Sequence, residues 1–388
     1  MQIGLLGYGA IGKGIYQTLK DRFQDIYIKK ILVRNLNNKD TSFFVTDLEE
    51  ILNDDDIDTV IIAIDDNKTS YDFATMSLNA KKNVIMTNKS AVANHFSELL
   101  KMADSKGVSF KFESVVGSGL PWLSTILEYK NVNEISEVYG TFNGTCNLIL
   151  DLMKKDGIEF NEALLKTRIL CYQEPNYMDD IKGEDSANKL AISIMVALGA
   201  YVEPKDIPTY GIETIRNLDF DFFERRELSP KLVSFAKLTN GRLSMLVAPF
   251  LFKQGTLMAN VSGNNKILGF KGDIVGEVQF IGEAAGVYPT ANSVMLDVLD
   301  IKNNRCSKIV MPNEVIVDQT AIKHKFYFSF DQTSSKIERI LIPYVHSIFE
   351  TQDSVVITTR NIDFDTCIDL LEKIEMTGER FFFAVYAD

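Results

Sequence analysis

Ile3-Gly4-Leu5-Leu6-Gly7-Tyr8-Gly9-Ala10-Ile11-Gly12 is a short apolar run that meets glycines spaced G-x-G-x-x-G. A helical stretch follows to about Phe23, and a second apolar run spans Ile26 to Val33. Strand, glycine turn, helix and strand in that order make a βαβ unit. In that context the glycines permit a tight turn, close approach of a dinucleotide pyrophosphate to the backbone, and close packing of helix on strand. Gly7, Gly9, Ala10, Ile11 and Gly12 are therefore candidate cofactor contacts, with a plain glycine turn as the other reading.

The same rhythm continues. Thr59 to Ile64 is a β-branched run ended by Asp65-Asp66-Asn67, and Asn83 to Met86 is another ended by Thr87-Asn88-Lys89. Both read as buried parallel strands whose carboxyl ends carry polar loops, the edge at which open α/β sheets bind ligands. After about Leu127 the pattern changes. Strand-like Ile135 to Gly140 leads to helical text over Cys146 to Lys155, Glu162 to Cys171 and Asp185 to Leu198, then to strand-rich text from Arg242 to Phe280. A helix from Pro289 to about Ile301 is expected to return to the first domain. Beyond it the order of elements is βαββαβ: strand Lys325 to Phe330, helix Lys336 to Val345, strands Ser347 to Glu350 and Val355 to Thr359, helix Phe364 to Ile374, strand Phe381 to Tyr386. The expected domains are 1–128 with return helix 289–311, 129–288, and 322–388.

With 388 residues, 46% of them hydrophobic and 24% charged, the chain has the composition of a folded globular protein with more than one core. A formal charge of −12 provides no basic footprint for phosphate backbones or anionic lipid, so neither nucleic acid nor membrane is an expected partner. Met1 runs directly into Gln2-Ile3-Gly4 without a basic leader, and the longest apolar run, Leu190 to Ala200, is about half of the ~20 residues a membrane-spanning helix needs. A cytoplasmic location is expected. Cys146, Cys171, Cys306 and Cys367 are scattered and the histidines are His95, His324 and His346, so no zinc site is expected.

Several residues could carry chemistry. The second strand ends at Val33-Arg34-Asn35, where an NAD site presents an acidic residue to the ribose 2′-hydroxyl. Arg34 can instead hold a 2′-phosphate, or it is a solvated surface arginine. Lys89 follows a sheet strand and can meet a carboxylate or a developing oxyanion; equally, it can begin a surface helix. Glu113 through Pro121 is a glycine-rich turn able to offer carbonyl oxygens to a hard monovalent cation, or simply a structural turn. The densest group is Glu174 through Lys189. Asp185 and Lys189 are four apart and share a helix face. Two carboxylates and an ammonium suit an amino-acid substrate, whose ammonium the acids hold while the lysine moves a proton. A solvated acidic loop before an ordinary helix is the alternative.

Taken in chain order, Gly7-x-Gly9-x-x-Gly12, Thr87-Asn88-Lys89, Glu113 through Pro121, Gly140-Thr141-Phe142-Asn143-Gly144-Thr145-Cys146-Asn147, Tyr172 through Lys189, and Gly282 through Ala291 with Pro289-Thr290 resemble homoserine dehydrogenase over roughly residues 3–301. The resemblance implies reduction of L-aspartate 4-semialdehyde to L-homoserine with NADPH or NADH. It implies an α/β architecture: an N-terminal Rossmann dinucleotide-binding domain, an α+β catalytic and dimerisation domain, and an ACT-like tail in a homodimer or homotetramer. It makes Lys189 the proton donor and Lys89 a second active-site lysine. Glu174 and Asp185 would hold the substrate amino group and Asp180 would support them, with Gly144, Thr145 and Gly286 near substrate and cofactor. Thr87 joins the cofactor contacts, and Glu113, Val116, Ser118 and Leu120 match the family's sodium-binding turn. With Arg34 in place of an acid, NADP(H) is the expected preference, with NAD(H) as second choice.

Departures accompany the likeness. Glu174-Pro175-Asn176-Tyr177 stands where the family reads Glu-x-Asp-Pro, Cys171 replaces a glycine, Asp65-Asp66 replaces a glycine pair, and no glycine precedes the first helix of the tail. Two other readings remain at this point: a non-catalytic regulator responsive to NADP and amino acids on the same scaffold, and a related semialdehyde or hydroxy-acid oxidoreductase.

Overall fold

A computed structural model describes residues 1–36, 42–170, 177–263, 265–283, 285–305, 307–352 and 354–387. The chain forms two compact units. The first gathers Met1–Glu134, Ala191–Glu203 and Gly282–Asn313; the second gathers Ile135–Leu190, Pro204–Ile281 and Glu314–Asp388.

In the first unit the strand Gln2–Leu6 buries Ile3, Leu5 and Leu6. Tyr27–Leu32 pairs with it on one side and Ile57–Ile62 on the other, both parallel. The full order is Phe44–Val45, Tyr27–Leu32, Gln2–Leu6, Ile57–Ile62, Asn83–Met86, Phe110–Lys111, every pairing parallel. Such strands are covered on both faces, which is why they read as unbroken Val, Ile and Leu rather than alternating text. Between Gln2–Leu6 and Ile57–Ile62 the chain's winding reverses, and there an α/β sheet leaves a ligand crevice beyond the strand ends.

The helix Ala10–Arg22 buries Gly12, Gly14, Ile15 and Leu19. Against it packs the return helix, which spans Val287–Lys302, two residues earlier than its sequence start at Pro289. Pro289 falls in the first turn, where its missing N–H has no helical partner to lose. A Cβ on Gly14 would lie 2.2 Å from Val287 Cγ1, so the two helices meet at a glycine.

The second unit is built on one mixed sheet. Its order is Gly276–Glu283, Asn265–Gly272, Ile135–Gly140, Leu228–Thr239, Arg242–Lys253, Phe381–Tyr386, Phe326–Phe330, Val355–Thr359, Val345–Glu350. Leu228–Thr239 precedes the expected start of strand-rich text at Arg242. Pro230 and Lys231 obscure it in the sequence, and the structure accommodates the buried Lys231 by an ion pair to Asp151 at 2.8 Å. The tail has the expected βαββαβ order, with its strands arranged fourth, first, third, second.

The tail expected to begin at residue 322 falls within the second compact unit, in the segment Glu314–Asp388. Val385 pairs with Phe250 and Tyr386 with Leu251 in parallel register. Phe326, Phe328, Phe330, Phe364 and Phe383 of the tail share one buried cluster with Val233, Leu246 and Phe250. The next residues along the same strand serve the opposite face: Tyr327 donates to Asp219 at 2.8 Å and Ser329 also donates to Asp219. Arg216, at the start of the helix Asn217–Glu224, pairs with Asp331. Burial raises the Asp219 carboxyl, and these donors and Arg216 oppose the rise. Among the described residues no helix is long and apolar enough to cross a membrane.

Removing a buried aromatic from a shared core typically costs about 3–5 kcal/mol. Phe326→Ala should therefore shift the calorimetric transition of the whole second unit. A separate, early-melting tail transition, with the rest unmoved, would show that residues 322–388 fold apart.

Candidate active site

The glycines of the first turn divide by what surrounds them. Gly7 has φ +97°, and a Cβ there would lie 2.3 Å from the Ala63 carbonyl oxygen; on Gly12 it would lie 2.2 Å from the Gly7 oxygen. At Gly9 a Cβ would meet nothing within 4 Å among the described residues beyond its chain neighbours. Gly7 and Gly12 are thus required by the fold, whereas Gly9 leaves space. No side chain caps the helix at Gly9, so the backbone N–H groups of its first turn, at Ala10 and Ile11, are presented to that space. This cradle fits a pyrophosphate.

The neighbouring strand ends complete the edge. Arg34 lies in an exposed bend after Tyr27–Leu32. Asp66 caps the helix Asn67–Asn79 by accepting from Thr69 N at 2.8 Å. That hydrogen bonding holds its carboxyl below the usual range, with smaller help from the Arg34 charge. Thr87 Oγ1 donates to the Ile62 carbonyl at 3.2 Å. Asn88 ties adjacent strands together by donating to Asp65 O at 2.9 Å, and its own oxygen caps Lys89–Asn94 at Ala91 N. Lys89 is the half-buried first residue of that helix. Gly286, at φ +106°, precedes the return helix.

In the turn after Phe110–Lys111, Glu113 accepts from Leu123 N at 3.0 Å and Ser124 N at 2.7 Å. Burial pushes its carboxyl up to about 7 against those backbone donors. Gly117, Ser118 and Gly119 follow at φ +87°, +32° and +105°. Gly119 N donates to Ser293 Oγ at 2.9 Å, which seats the turn on the return helix. Val116 and Leu120 are buried.

The second unit brings Asp180, Asp185 and Lys189 together. Asp180 lies on the short helix Tyr177–Lys182; Gly183, at φ +89°, turns the chain into Glu184–Ser193, which carries the other two. Lys189 Nζ is 2.5 Å from Asp185 Oδ2 and 3.1 Å from the Phe142 carbonyl oxygen. All three side chains are buried, so the solvated-helix reading of this pair is excluded. Glu174 lies outside the described residues, as do Cys171, Pro175 and Asn176 of the variant loop.

At the centre stands Asn143, quoted in the sequence pattern but not singled out there as a site residue. Its Nδ2 donates to Asp180 Oδ1 at 2.6 Å and to Asp185 Oδ2 at 2.8 Å. Its Oδ1 accepts from Cys146 N at 2.9 Å and so caps Gly144–Asp156, whose first residues are Gly144 and Thr145. The available signal was an asparagine followed by Gly-Thr at a helix start, a capping pattern. Cys146 Sγ donates to the Asp180 carbonyl at 3.1 Å. Burial pushes that thiol well up, and the charges of Asp180, Asp185 and Glu213 push in the same direction. Among the described residues this cluster sets two buried carboxylates against the Lys189 ammonium, a charge balance suited to a cationic group.

Comparison with known proteins bears on this arrangement. The family described as Homoserine dehydrogenase matches residues 121–299, and its NAD binding domain matches residues 7–113. A homoserine dehydrogenase of Bacillus subtilis is 28% identical over 98% of this chain and 96% of its own. One of Helicobacter pylori is 32% identical over 79% of this chain and 75% of its own. The crystal structure of a homoserine dehydrogenase from Thiobacillus denitrificans aligns at TM-score 0.89 and 25% identity, covering 100% of this chain and 98% of that one.

Breaking a buried ion pair by removing one partner commonly costs about 3–5 kcal/mol, because the remaining charge stays out of water. Lys189→Met should lower stability by that order in urea unfolding. A loss below about 1 kcal/mol, the scale of surface pairs, would show that the cluster is solvated.

Proposed function

The chain belongs to the homoserine dehydrogenase family, and from that premise we propose how its own residues divide the work of the NAD(P)-dependent interconversion of L-aspartate 4-semialdehyde and L-homoserine. The observation that carries the assignment is the buried contact of Lys189 Nζ with Asp185 Oδ2 at 2.5 Å. Lys189 is the proton donor. As the aldehyde oxygen gains negative charge, this ammonium, aimed by Asp185 and the Phe142 carbonyl, delivers a proton to it. Asp185, with Glu174, holds the substrate ammonium; because Asp185 is one helical turn from Lys189, the same geometry sets the distance from amino group to reacting carbonyl. Asp180 supports Asp185, and Gly144 and Thr145 border the substrate. Lys89 is the second active-site lysine in this proposal.

Gly7, Gly9, Ala10, Ile11 and Gly12 hold the dinucleotide pyrophosphate, with Thr87 and Gly286 as further contacts. Bound there, the reduced nicotinamide supplies the hydride. Arg34 favours NADP(H) over NAD(H), since a guanidinium matches a 2′-phosphate. The turn of Glu113, Val116, Ser118 and Leu120 is proposed to take sodium through main-chain oxygens, a reading supported by the engagement of the Glu113 carboxylate with backbone N–H groups. We further assign a cytoplasmic homodimer or homotetramer with an ACT-like tail. No observation favours the regulator or the alternative oxidoreductase.

Removing a positioned acid lowers rates by roughly 10²–10⁴-fold. Lys189→Ala should reduce kcat by that range in homoserine oxidation while leaving the Kd for NADPH nearly unchanged; a normally folded variant with wild-type kcat would move proton transfer elsewhere.

For cofactor choice, Arg34→Ala should chiefly raise the KM for NADPH. Equal or better wild-type kinetics with NADH at matched concentrations would refute the preference.

A further inference from the structure

We infer that Asn143 is a positioning residue for the reaction: by donating one amide hydrogen to Asp180 and the other to Asp185, it keeps the two acids ionised and aimed, so that the cluster retains a negative charge in excess of Lys189 for the substrate ammonium. This rests on the roles assigned above to Asp185 and Lys189.

The orientation of the amide follows from its partners. Cys146 N is a donor at 2.9 Å, so the atom facing it is the oxygen; the carboxylates at 2.6 and 2.8 Å accept, so the atom facing them is the NH₂. The side chain is buried. Hydrogen bonds donated to a carboxylate favour its charged form. In a desolvated site, two nearby acids that share Lys189 repel each other, which favours protonation of one of them unless donors hold both in the charged form. A neutral double donor resolves this without adding a second cation, which would cancel the charge that attracts the substrate.

The charged and titratable groups around it come from several elements. They are Asp180 on Tyr177–Lys182, Asp185 and Lys189 on Glu184–Ser193, Cys146 on the capped helix itself, and Glu213, whose charge reaches Cys146. Asn143 also fixes the helix start, so one side chain sets both the position of Gly144-Thr145 and the aim of the acids.

Two substitutions in the full-length protein separate positioning from capping. Asn143→Asp keeps an oxygen for Cys146 N but replaces the double donor with a third acid; Asn143→Ala removes cap and donors together. If Asn143 only caps the helix, Asn143→Asp stays near wild type and Asn143→Ala is impaired. The proposal expects the reverse ranking. Asn143→Asp should lose ~10-fold or more in kcat/KM for homoserine at neutral pH, and in both variants the acid limb of its pH profile should move to higher pH, by about one pKa unit. In Asn143→Asp, which keeps the helix cap, the Kd for NADPH, read by fluorescence, should stay within about twofold. An unmoved acid limb in Asn143→Ala, or wild-type kinetics in Asn143→Asp, overturns the proposal. If Asn143→Asp does not fold, the limb in Asn143→Ala decides. Wild-type protein without homoserine turnover would instead refute the functional reading; infrared titration of the carboxyl band would then still read the effect of Asn143 on the two acids, with an unshifted band in Asn143→Ala overturning it.

Discussion

Lys189 and Asp185 are buried together four residues apart, and Phe142, Asn143 and Gly183 are arranged around that burial. Removing an ion from water costs several kcal/mol even after relaxation, and mutual attraction offsets this only if the remaining hydrogen-bonding capacity is also satisfied. The Phe142 carbonyl takes one ammonium hydrogen, Asn143 donates to the carboxylate, and Gly183 turns the chain so that Asp180 reaches the same amide. The positive φ at Gly183 has a further steric reason, since a Cβ there would lie 2.9 Å from Thr209 Cγ2. Backbone and side-chain demands therefore converge on one geometry around the pair.

The first unit answers a different constraint. Its parallel strands bury both faces and leave chemistry to the loops beyond their carboxyl ends. The three glycines of the first turn show how such a loop divides fold from function. Two are fixed by clashes with Ala63 O and Gly7 O, whereas a Cβ on the third would meet nothing within 4 Å among the described residues, so the fold itself does not demand a glycine there. Asp66 shows the converse. An acid in place of a glycine is absorbed as a helix cap at Thr69 N, so the departure from the family pattern becomes a local structural role.

Legibility followed the range of the interactions involved. The strand Asn83–Met86, the glycine turn and the Asp185 to Lys189 spacing depend on local pattern, and the structure has all three. The burial of this i,i+4 pair is not local: it involves Phe142 and Asn143, more than forty residues away in sequence. The spacing by itself is equally compatible with a solvated surface pair. Asn143 was hidden for a related reason, because a capping residue looks the same in sequence whether or not its amide has other work. Leu228–Thr239 was hidden because Pro230 and Lys231 contradict strand text unless Asp151 is known to neutralise the lysine.

The tail shows where element order stops being informative. Its βαββαβ sequence predicts its internal topology, yet says nothing about whether its edges are free. Phe326-Tyr327-Phe328-Ser329-Phe330 is buried at every position, which an independent small sheet with one solvated face would not require. Alternate residues serve different partners: the phenylalanines enter the apolar cluster, while Tyr327 and Ser329 satisfy Asp219 on the other face. The five letters alternate phenylalanine with hydroxyl-bearing residues and so read as a strand with one solvated face; only the distant Asp219 explains why the hydroxyl face is buried as well. It follows that the solvated or buried state of each strand face, rather than the order of helices and strands, distinguishes an appended sheet from one continuous with its neighbour, and that this state is set by partners remote in sequence.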